Sequence, residues 1–400
     1  SVAILSARAM RRRLAIIGGG PVGIEAALAF ANGGQYSEIA VYERGSEYAA
    51  NVKLWGHVRL FSPWEFNTSC HGAAVLAAAG VALPDGDAFP TGEEFRSGYL
   101  AHLWHYLGAH RACELCVNEA VIGIGRGLAL KGDMGAATRG AQPFRVLSQR
   151  GSGRAAVEQI REFDAVIDTS GTYGNANAFG IGGLPAMGEL GLRGDSHVVS
   201  IVPDILCDAG ARKYGCGRTT AVLGAGHSAI TTISNLRALA RRQADEGGGG
   251  DAPPRANVNL VWATRRVDNL YQVIANDPLP QRVELNALGN SLCGANDPLD
   301  GTTCSSPGLS VRHVGGAQLS AMRRVPSSSE GGSRIELTFD VSSQSCSLAD
   351  ADAEAARSKQ VVVLVDEVRV LLCTVTFYTN LAHSLTNIFD VGRFERWLPA

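Results

Sequence analysis

A glycine-rich turn near the start of the chain has the residue types and spacing that bind a phosphate group. The stretch LAIIGGGPVGIEAALAFA places Gly18, Gly20 and Gly23 in GxGxxG register, directly after a short apolar run and before a helical pattern. Gly18 permits the tight turn, Gly20 lets the backbone approach a pyrophosphate, and Gly23 lets the helix lie close to the strand. The helix N-terminus attracts the phosphates. Pro21 and Val22, between the second and third glycines, belong to the same predicted site.

An acidic residue follows the next apolar run. The stretch EIAVYERG puts Glu43 at the predicted strand end, followed by Arg44. A carboxylate there accepts hydrogen bonds from a ribose diol and repels a 2′-phosphate, which favours FAD or NAD over NADP. We assign both residues to the first nucleotide site. The alternative is a glycine-rich helix start that binds no ligand.

The same glycine motif occurs a second time. The stretch TTAVLGAGHSAITTISNLRALA places Gly224, Gly226 and Ala229 in the three positions of the motif, with His227 and Ser228 in the turn. Alanine in the third position still permits close packing of helix on strand. A second dinucleotide site is therefore predicted here.

Two arginines stand where the first unit has its acid. The stretch NVNLVWATRR ends the next predicted strand with Arg265 and Arg266. A guanidinium group can bind a 2′-phosphate through paired, charge-assisted hydrogen bonds, so NADPH is the expected ligand. The alternative is a solvated arginine pair without a ligand.

Both segments have the order strand, glycine turn, helix, strand, which builds parallel sheets. We therefore predict an α/β fold with two Rossmann-like dinucleotide-binding domains. Glycine- and serine-rich stretches near 243–257, 327–333 and 342–359 have too little apolar content to pack and are interpreted as surface insertions.

The composition excludes several classes of protein. A formal charge of −2 over 400 residues offers no basic field for nucleic acid. No apolar run is long and uninterrupted enough for a membrane span. The nine cysteines are scattered, which indicates a reducing compartment, and the cytoplasm is expected. Three consecutive arginines among the first 13 residues leave import into an organelle open.

Four stretches carry a resemblance to a known family: GGGPVG, VYERG, EFDAVIDTSGTYGNANAFGIGGLP and GAGHSA. Over about residues 13 to 300 the chain resembles the two-dinucleotide-binding-domain flavoproteins, which include the flavin-containing monooxygenases and the pyridine nucleotide-disulfide oxidoreductases. The resemblance implies FAD in the first unit and NADPH in the second. It also implies that the NADP-binding domain is inserted into the FAD-binding domain. The expected bounds are 11–205 and 360–400 for the FAD-binding domain and 206–359 for the NADP-binding domain.

Two details add to this resemblance, the first within the third of these stretches and the second in a new segment. The residues Asp168 to Gly171 look like the family's (D/A)TG element, and Gly171 is assigned to the cofactor site. The segment WGHVRLFSPW, residues 55–64, resembles a stretch found in a branch of predicted flavoprotein oxidoreductases. There Arg59 is assigned to a flavin or nicotinamide phosphate, and His57 to a hydrogen bond near the ring or to a proton shuttle. The alternative is a packed loop with aromatic anchors.

The chain also departs from the family. The monooxygenase fingerprint FxGxxxHxxx(F/W/Y) lacks its histidine, VDEVRVLLCTVTFYTN lacks a glycine turn, and no Gly-Asp pair lies beyond residue 350. We therefore expect residues 360–400 to be truncated or diverged.

Two clusters are candidates for other chemistry. Cys113 and Cys116 form the only CxxC, but lie outside both glycine turns, so we interpret them as incidental thiols rather than a catalytic dithiol. His102, His105 and His110 fit a partly exposed helix without a matching carboxylate, so no metal site is predicted.

The prediction is an FAD-dependent, NADPH-using oxidoreductase of monooxygenase-like type, acting on a small organic substrate, with its catalytic residues unassigned. The alternatives are an NAD(P)H:acceptor or disulfide-type reductase and a catalytically inactive dinucleotide-binding protein.

Overall fold

A computed structural model describes residues 12–130, 132, 140, 142–151, 153–247, 257–266, 270–293, 303–306, 308–326, 333–341, 359–366 and 369–372. The described residues divide into two compact units, one up to Thr172 and the other from Tyr173 onward. We describe each unit by itself.

The first unit contains a parallel sheet of four strands, which are β1 (Arg13–Ile17), β2 (Glu38–Tyr42), β3 (Cys113–Cys116) and β7 (Ala165–Asp168). They lie in the order β3-β2-β1-β7. Helix α1, Pro21–Gly33, connects β1 to its neighbour β2. The middle residues of both strands are almost fully buried, as expected for a parallel sheet covered on both faces. This is the βαβ unit that the sequence predicts.

Short helices and an antiparallel sheet complete the first unit. The helices are α2 (Ala50–Leu54), α3 (Trp64–Asn67), α4 (Cys70–Ala78), α5 (Gly92–Phe95) and α6 (Ala101–Ala109), with a π-helical turn at Arg96–Leu100. The antiparallel strands are β4 (Glu119–Arg126), β5 (Phe144–Arg150) and β6 (Val157–Phe163), with a 3₁₀ turn at Gly153–Ala155.

The second unit has a larger sheet in the order β11-β12-β10-β9-β16-β8, parallel except for β11. Its strands are β8 (Val198–Val199), β9 (Thr219–Leu223), β10 (Val258–Ala263), β11 (Thr303–Ser306), β12 (Leu309–Val314) and β16 (Arg369–Leu372). A three-stranded antiparallel sheet contains β13 (Ala317–Pro326), β14 (Ser333–Val341) and β15 (Lys359–Asp366). The helices are α7 (Glu189–Leu192), α8 (Asp208–Tyr214), α9 (His227–Gly247) and α10 (Pro280–Leu292), with a 3₁₀ turn at Ile181–Gly183.

Two stretches join a different sheet from the one that the expected domain bounds assign them to. The described part of 360–400 lies in the second unit, where β15 pairs with β14 and β16 pairs in parallel with β9. The short strand β8, within the expected first domain, pairs with β16. The physical reason is that β9, a buried parallel strand, needs a partner on the side away from β10, and residues 369–372, apolar after Arg369, pair there. Residues 373–400 lie outside the described residues.

A buried acidic side chain connects helix α1 by hydrogen bonds to the start of α4 and to the π-helical turn. Glu25 is 4% exposed, and its carboxylate accepts hydrogen bonds from the hydroxyl groups of Tyr99 and Ser69. The Tyr99 hydroxyl in turn accepts from the Ser69 backbone N–H at 2.9 Å. Gly72 of α4 makes room for it, since a Cβ there would lie 1.8 Å from the Tyr99 oxygen. This network fixes the helix whose N-terminus forms the first glycine turn.

We predict that Glu25→Gln changes how stability depends on pH. Burial raises the pKa of Glu25 above 4.5, although both hydroxyl bonds oppose the shift. Because the folded state then holds the proton more tightly than the unfolded state, Glu25 costs stability as the pH rises above 4.5. The free energy of unfolding of Glu25→Gln, relative to wild type, should therefore increase as the pH rises from 4.5 in urea titrations. A difference that stays constant as the pH rises contradicts the prediction.

Candidate cofactor-binding sites

The first glycine turn is pinned to the strand beside it. The backbone N–H of Gly18 donates to the carbonyl of Tyr42, the last residue of β2, at 2.7 Å. Gly18 has a φ of +110°, and a Cβ there would lie 2.6 Å from the Thr169 carbonyl oxygen. At Gly23 a Cβ would lie 1.9 Å from the Gly18 oxygen. Both positions therefore exclude every other residue type.

Gly20 differs from its two neighbours in the motif. It has an extended backbone, with a φ of −82°, and an added Cβ would meet no atom within 4 Å. Pro21 is the first residue of α1, and no side chain caps the helix. The N–H groups of Val22 and Gly23 belong to the first turn, which has no acceptor within the helix. Gly20 thus combines open space with the uncapped start of α1, where N–H groups and the positive end of the helix dipole attract an anion.

Glu43 lies at the tip of β2, where the sequence places it. Its carboxylate accepts from the N–H of Gly19 at 2.9 Å and from that of Gly45 at 2.6 Å. Each oxygen keeps one lone pair free of these two bonds, so the carboxylate can still accept from a ribose hydroxyl. The side chain of the next residue, Arg44, is exposed. The sequence pattern gives the position of Glu43 but not its bonds to the turn.

Thr169 is a further residue of this site. From the sequence it is only one of four residues in the motif-like stretch 168–171. It follows β7, and its hydroxyl lies 2.8 Å from the Ile17 carbonyl and 3.1 Å from that of Gly18. Hydrogen bonds from Ser170 to Asp168 lower the pKa of that carboxyl and close the turn, which continues to the exposed Gly171. The strand-end threonine thus supports the glycine turn from the side opposite β2.

The helix that leads into the segment 55–64 starts at the same turn, since the Ala49 N–H, just before α2, donates to the Gly19 carbonyl at 2.8 Å. Within the segment, the His57 Nε2 atom is buried and has no hydrogen-bond partner among the described residues. Arg59 is exposed, and its guanidinium donates to the Phe89 carbonyl. Its predicted role at a phosphate stays a prediction.

The second glycine turn repeats the first in its defining bond. The Gly224 N–H donates to the carbonyl of Ala263, the last residue of β10, at 2.8 Å, and Gly224 has a φ of +104°. The Gly226 carbonyl accepts from the Ala229 N–H at 2.9 Å, and Ala229 is fully buried. The Trp262 indole N–H donates to the Gly224 carbonyl at 2.9 Å. The two turns therefore have the same hydrogen bond to the same position of the neighbouring strand.

Two polar residues begin helix α9 at this turn. Ser228 is buried, and its carbonyl accepts from the Thr232 hydroxyl at 2.9 Å. Burial lowers the pKa of His227, although a hydrogen bond with Asn286 opposes the shift. The imidazole is therefore mainly neutral near pH 7, and the positive charge expected at this site comes from the arginines beyond β10.

Arg265 and Arg266 are exposed just past the end of β10, two and three residues beyond Ala263, which contacts Gly224. One Arg265 nitrogen lies 3.4 Å from the Gly180 carbonyl, a weak contact that leaves most of its N–H groups for a ligand. The Arg266 carbonyl accepts from the buried Thr264 hydroxyl at 2.6 Å. The sequence pattern did not identify Thr264.

The other clusters do not form sites. Cys113 and Cys116 are free thiols on β3, and an odd spacing on a strand directs them to opposite faces of the sheet. Burial raises the pKa of Cys113 to about 11 and that of Cys116 to about 12, so both stay protonated. Among the described residues no group of histidines, cysteines and carboxylates could hold a metal ion. His102 and His105 lie on α6, and His110 ends it.

No helix in the described part of the chain combines the length and apolar character needed to cross a membrane. The sequence matches no protein-family profile. It also matches none of the curated proteins.

Solved structures do resemble the chain. The ornithine N-hydroxylase of Kutzneria sp. 744 superposes with a TM-score of 0.51 at 14% identity, over 94% of this chain and 84% of its own. The FAD-bound cadaverine monooxygenase of Erwinia amylovora gives a TM-score of 0.53 at 14% identity, over 92% and 79%. The ornithine hydroxylase of Pseudomonas aeruginosa gives 0.52 at 15% identity, over 94% and 86%.

This chain shares the fold of these three solved enzymes. The α/β fold with two Rossmann-like units, predicted from the paired glycine turns, is thereby confirmed. At these identities the likeness concerns the fold, and the use of each site is argued from its own residues.

We predict that Gly23→Ala disrupts the first unit whereas Gly33→Ala does not. The new Cβ at position 23 would overlap the Gly18 carbonyl, so the free energy of unfolding should fall by at least about 2 kcal/mol. Gly33, on the same helix, has no atom within 4 Å of an added Cβ. Its change to alanine should shift the free energy by less than about 1 kcal/mol, in the stabilising direction. Urea unfolding of both variants checks this, and equal effects would contradict it.

Proposed function

We propose that this protein is an FAD-dependent, NADPH-using oxidoreductase of monooxygenase type that acts on a small organic substrate. One observation carries the proposal. Two glycine turns are pinned by the same backbone bond to the tips of their neighbouring strands, and those tips carry opposite charge, Glu43 in one unit and the pair Arg265 and Arg266 in the other. Such a pair suits one dinucleotide without and one with a 2′-phosphate.

The first unit fits FAD. Backbone N–H groups at the start of α1 would bind the pyrophosphate beside Gly20, where the chain leaves open space. Glu43, held by Gly19 and Gly45, would accept from the ribose hydroxyls. A 2′-phosphate would meet this fixed carboxylate and be repelled. The charge at the strand tip thus selects against NADP.

The second unit fits NADPH. The start of α9 would bind the pyrophosphate, and the exposed guanidinium groups beyond β10 would bind the 2′-phosphate. When bound, the flavin supplies the redox chemistry, taking a hydride from NADPH and passing electrons to oxygen or another acceptor. The chain's residues bind and orient the two nucleotides. His57, with its buried and unpartnered Nε2, is our candidate for a hydrogen bond in the flavin region.

The structural neighbours support the monooxygenase type. The Kutzneria enzyme was solved with reduced FAD, NADP⁺ and L-ornithine, and the Erwinia enzyme is a cadaverine monooxygenase bound to FAD. Both names indicate small amines, so we propose a small amine as the first substrate class to test. The six cysteines whose side chains are described are all free, which favours a reducing compartment such as the cytoplasm.

We predict that Gly20→Ala separates folding from FAD binding. Because an added Cβ meets no atom of the protein and the backbone is extended, the free energy of unfolding should change by less than about 1 kcal/mol. The same methyl group would occupy the space that a pyrophosphate approaches, so the Kd for FAD should rise at least about tenfold.

The measurement is the visible flavin absorbance that stays with purified protein after dialysis, with Gly33→Ala as the matched glycine-to-alanine control. Wild-type protein that retains no flavin even when FAD is supplied would overturn the assignment of the first unit. Oxidation of NADPH by the flavin-loaded protein, followed with and without a small amine, distinguishes a monooxygenase from a reductase that uses another acceptor.

We predict that the double variant Arg265→Ala, Arg266→Ala loses recognition of the 2′-phosphate. Its Kd for 2′,5′-ADP should rise at least about tenfold, while its Kd for 5′-AMP stays within about twofold of wild type. Calorimetric titration with each nucleotide checks this without a flavin. Arg312, exposed on β12 of the same sheet, gives the control variant Arg312→Ala. Unchanged 2′,5′-ADP binding in the double variant would exclude these arginines as the 2′-phosphate site.

A further inference from the structure

Thr264 joins three parts of the second unit. It is the first residue after β10 and is 1% exposed. Its backbone N–H donates to the Val314 carbonyl at 3.0 Å, and its own carbonyl accepts from the Ala317 N–H at 2.9 Å. Both main-chain groups of Thr264 therefore form hydrogen bonds at the junction of β12 and β13. Its hydroxyl is the group that can bond to the turn that follows.

The hydroxyl makes two hydrogen bonds whose directions are determined. It lies 2.6 Å from the Arg266 carbonyl oxygen and 2.8 Å from His313 Nε2. A carbonyl oxygen only accepts, so the single hydroxyl proton is donated to Arg266. The hydroxyl oxygen must then accept from His313, which places a proton on Nε2.

His313 is built to serve as this donor. It lies on β12, is 9% exposed and has its ring centroid 4.8 Å from that of Trp262. Burial lowers the pKa of His313 to about 4, so the imidazole is neutral near pH 7 and carries one proton. The bond to Thr264 holds that proton on Nε2.

The contacts continue as far as the glycine turn. The Trp262 indole N–H donates to the Gly224 carbonyl at 2.9 Å, and the Trp262 ring packs against His313. His313 donates to Thr264, and Thr264 donates to Arg266. The turn that would bind the pyrophosphate is thus joined by a continuous set of buried contacts to the turn that carries the arginines.

We propose that Thr264 and His313 are positioning residues that determine the preference of the second unit for a 2′-phosphorylated nucleotide. They do so by holding the backbone of Arg265 and Arg266 beside the glycine turn. The proposal rests on the assignment of NADPH to this unit. Both arginines are exposed, so their own packing does little to fix their direction. The hydroxyl bond to the Arg266 carbonyl provides that restraint, and a phosphate bound by two pre-positioned guanidinium groups costs less ordering.

The test compares Thr264→Val, which keeps the shape and removes the hydroxyl, with Thr264→Ser, which keeps the hydroxyl. Thr220, 1% exposed on β9 and paired with Leu260 away from the strand tip, gives the matched control Thr220→Val. The probes are 2′,5′-ADP and 5′-AMP, titrated calorimetrically into each variant. Thermal unfolding shows that each variant is folded at the temperature of the titration.

We expect Thr264→Val to raise the Kd for 2′,5′-ADP about tenfold and the Kd for 5′-AMP less than about twofold. This is the effect of losing one buried hydrogen bond that positions the turn. Thr264→Ser and Thr220→Val should bind both probes like wild type. His313→Phe should also raise the Kd for 2′,5′-ADP, but by a smaller factor, since the Thr264 bond to Arg266 remains.

A Thr264→Val variant that binds both probes like wild type, or loses both to the same extent, would overturn the proposal. The assignment of NADPH has its own test in the double arginine variant. If that variant loses 2′,5′-ADP binding while Thr264→Val keeps it, the arginines bind the phosphate without help from Thr264. If neither variant affects 2′,5′-ADP binding, the assignment of the second unit fails as well.

Discussion

A single backbone hydrogen bond, made once in each unit, is the constraint on which both candidate sites depend. The first glycine of each turn donates its N–H to the last carbonyl of the neighbouring parallel strand, Gly18 to Tyr42 and Gly224 to Ala263. The residues that follow each strand end lie just beyond this bond, Glu43 one residue past Tyr42 and Arg265 two residues past Ala263. The charge they carry, carboxylate or guanidinium, then favours a different nucleotide in each unit.

The support around each turn differs, although the bond is shared. In the first unit the strand-end Thr169 and the carboxylate of Glu43 hold the turn from two sides, and buried Glu25 fixes the helix behind it. In the second unit Trp262 contacts the turn, and Thr264 holds the arginine backbone. In both units the first glycine of the turn has its N–H satisfied by the neighbouring strand, and in the first unit no side chain caps the start of α1, as an anion site requires.

The proposed redox class rests on these sites and not on any catalytic side chain. The CxxC pair lies on opposite faces of a strand, with both thiols held protonated, which removes the structural basis for a disulfide reductase built on Cys113 and Cys116. In a flavoenzyme the cofactor carries the chemistry, so a chain can lack an obvious nucleophile or base and still be an oxidoreductase. Oxygen insertion and electron transfer to another acceptor then differ in how the bound flavin is protected, and the amine-dependent NADPH assay addresses that difference.

Local spacing is enough to predict the two βαβ units, their glycine turns and the charge beyond each strand end, because these depend on neighbouring residues such as Gly18 and Glu43 that have few substitutes. The contributions of distant segments depend on the folded structure. Thr169 and His313 reach the turns from strands far along the chain, and no local pattern reveals such contacts. The pairing of β16 with β9 was likewise decided by which sheet edge needed a partner, since the run RVLL is equally apolar whichever sheet it joins.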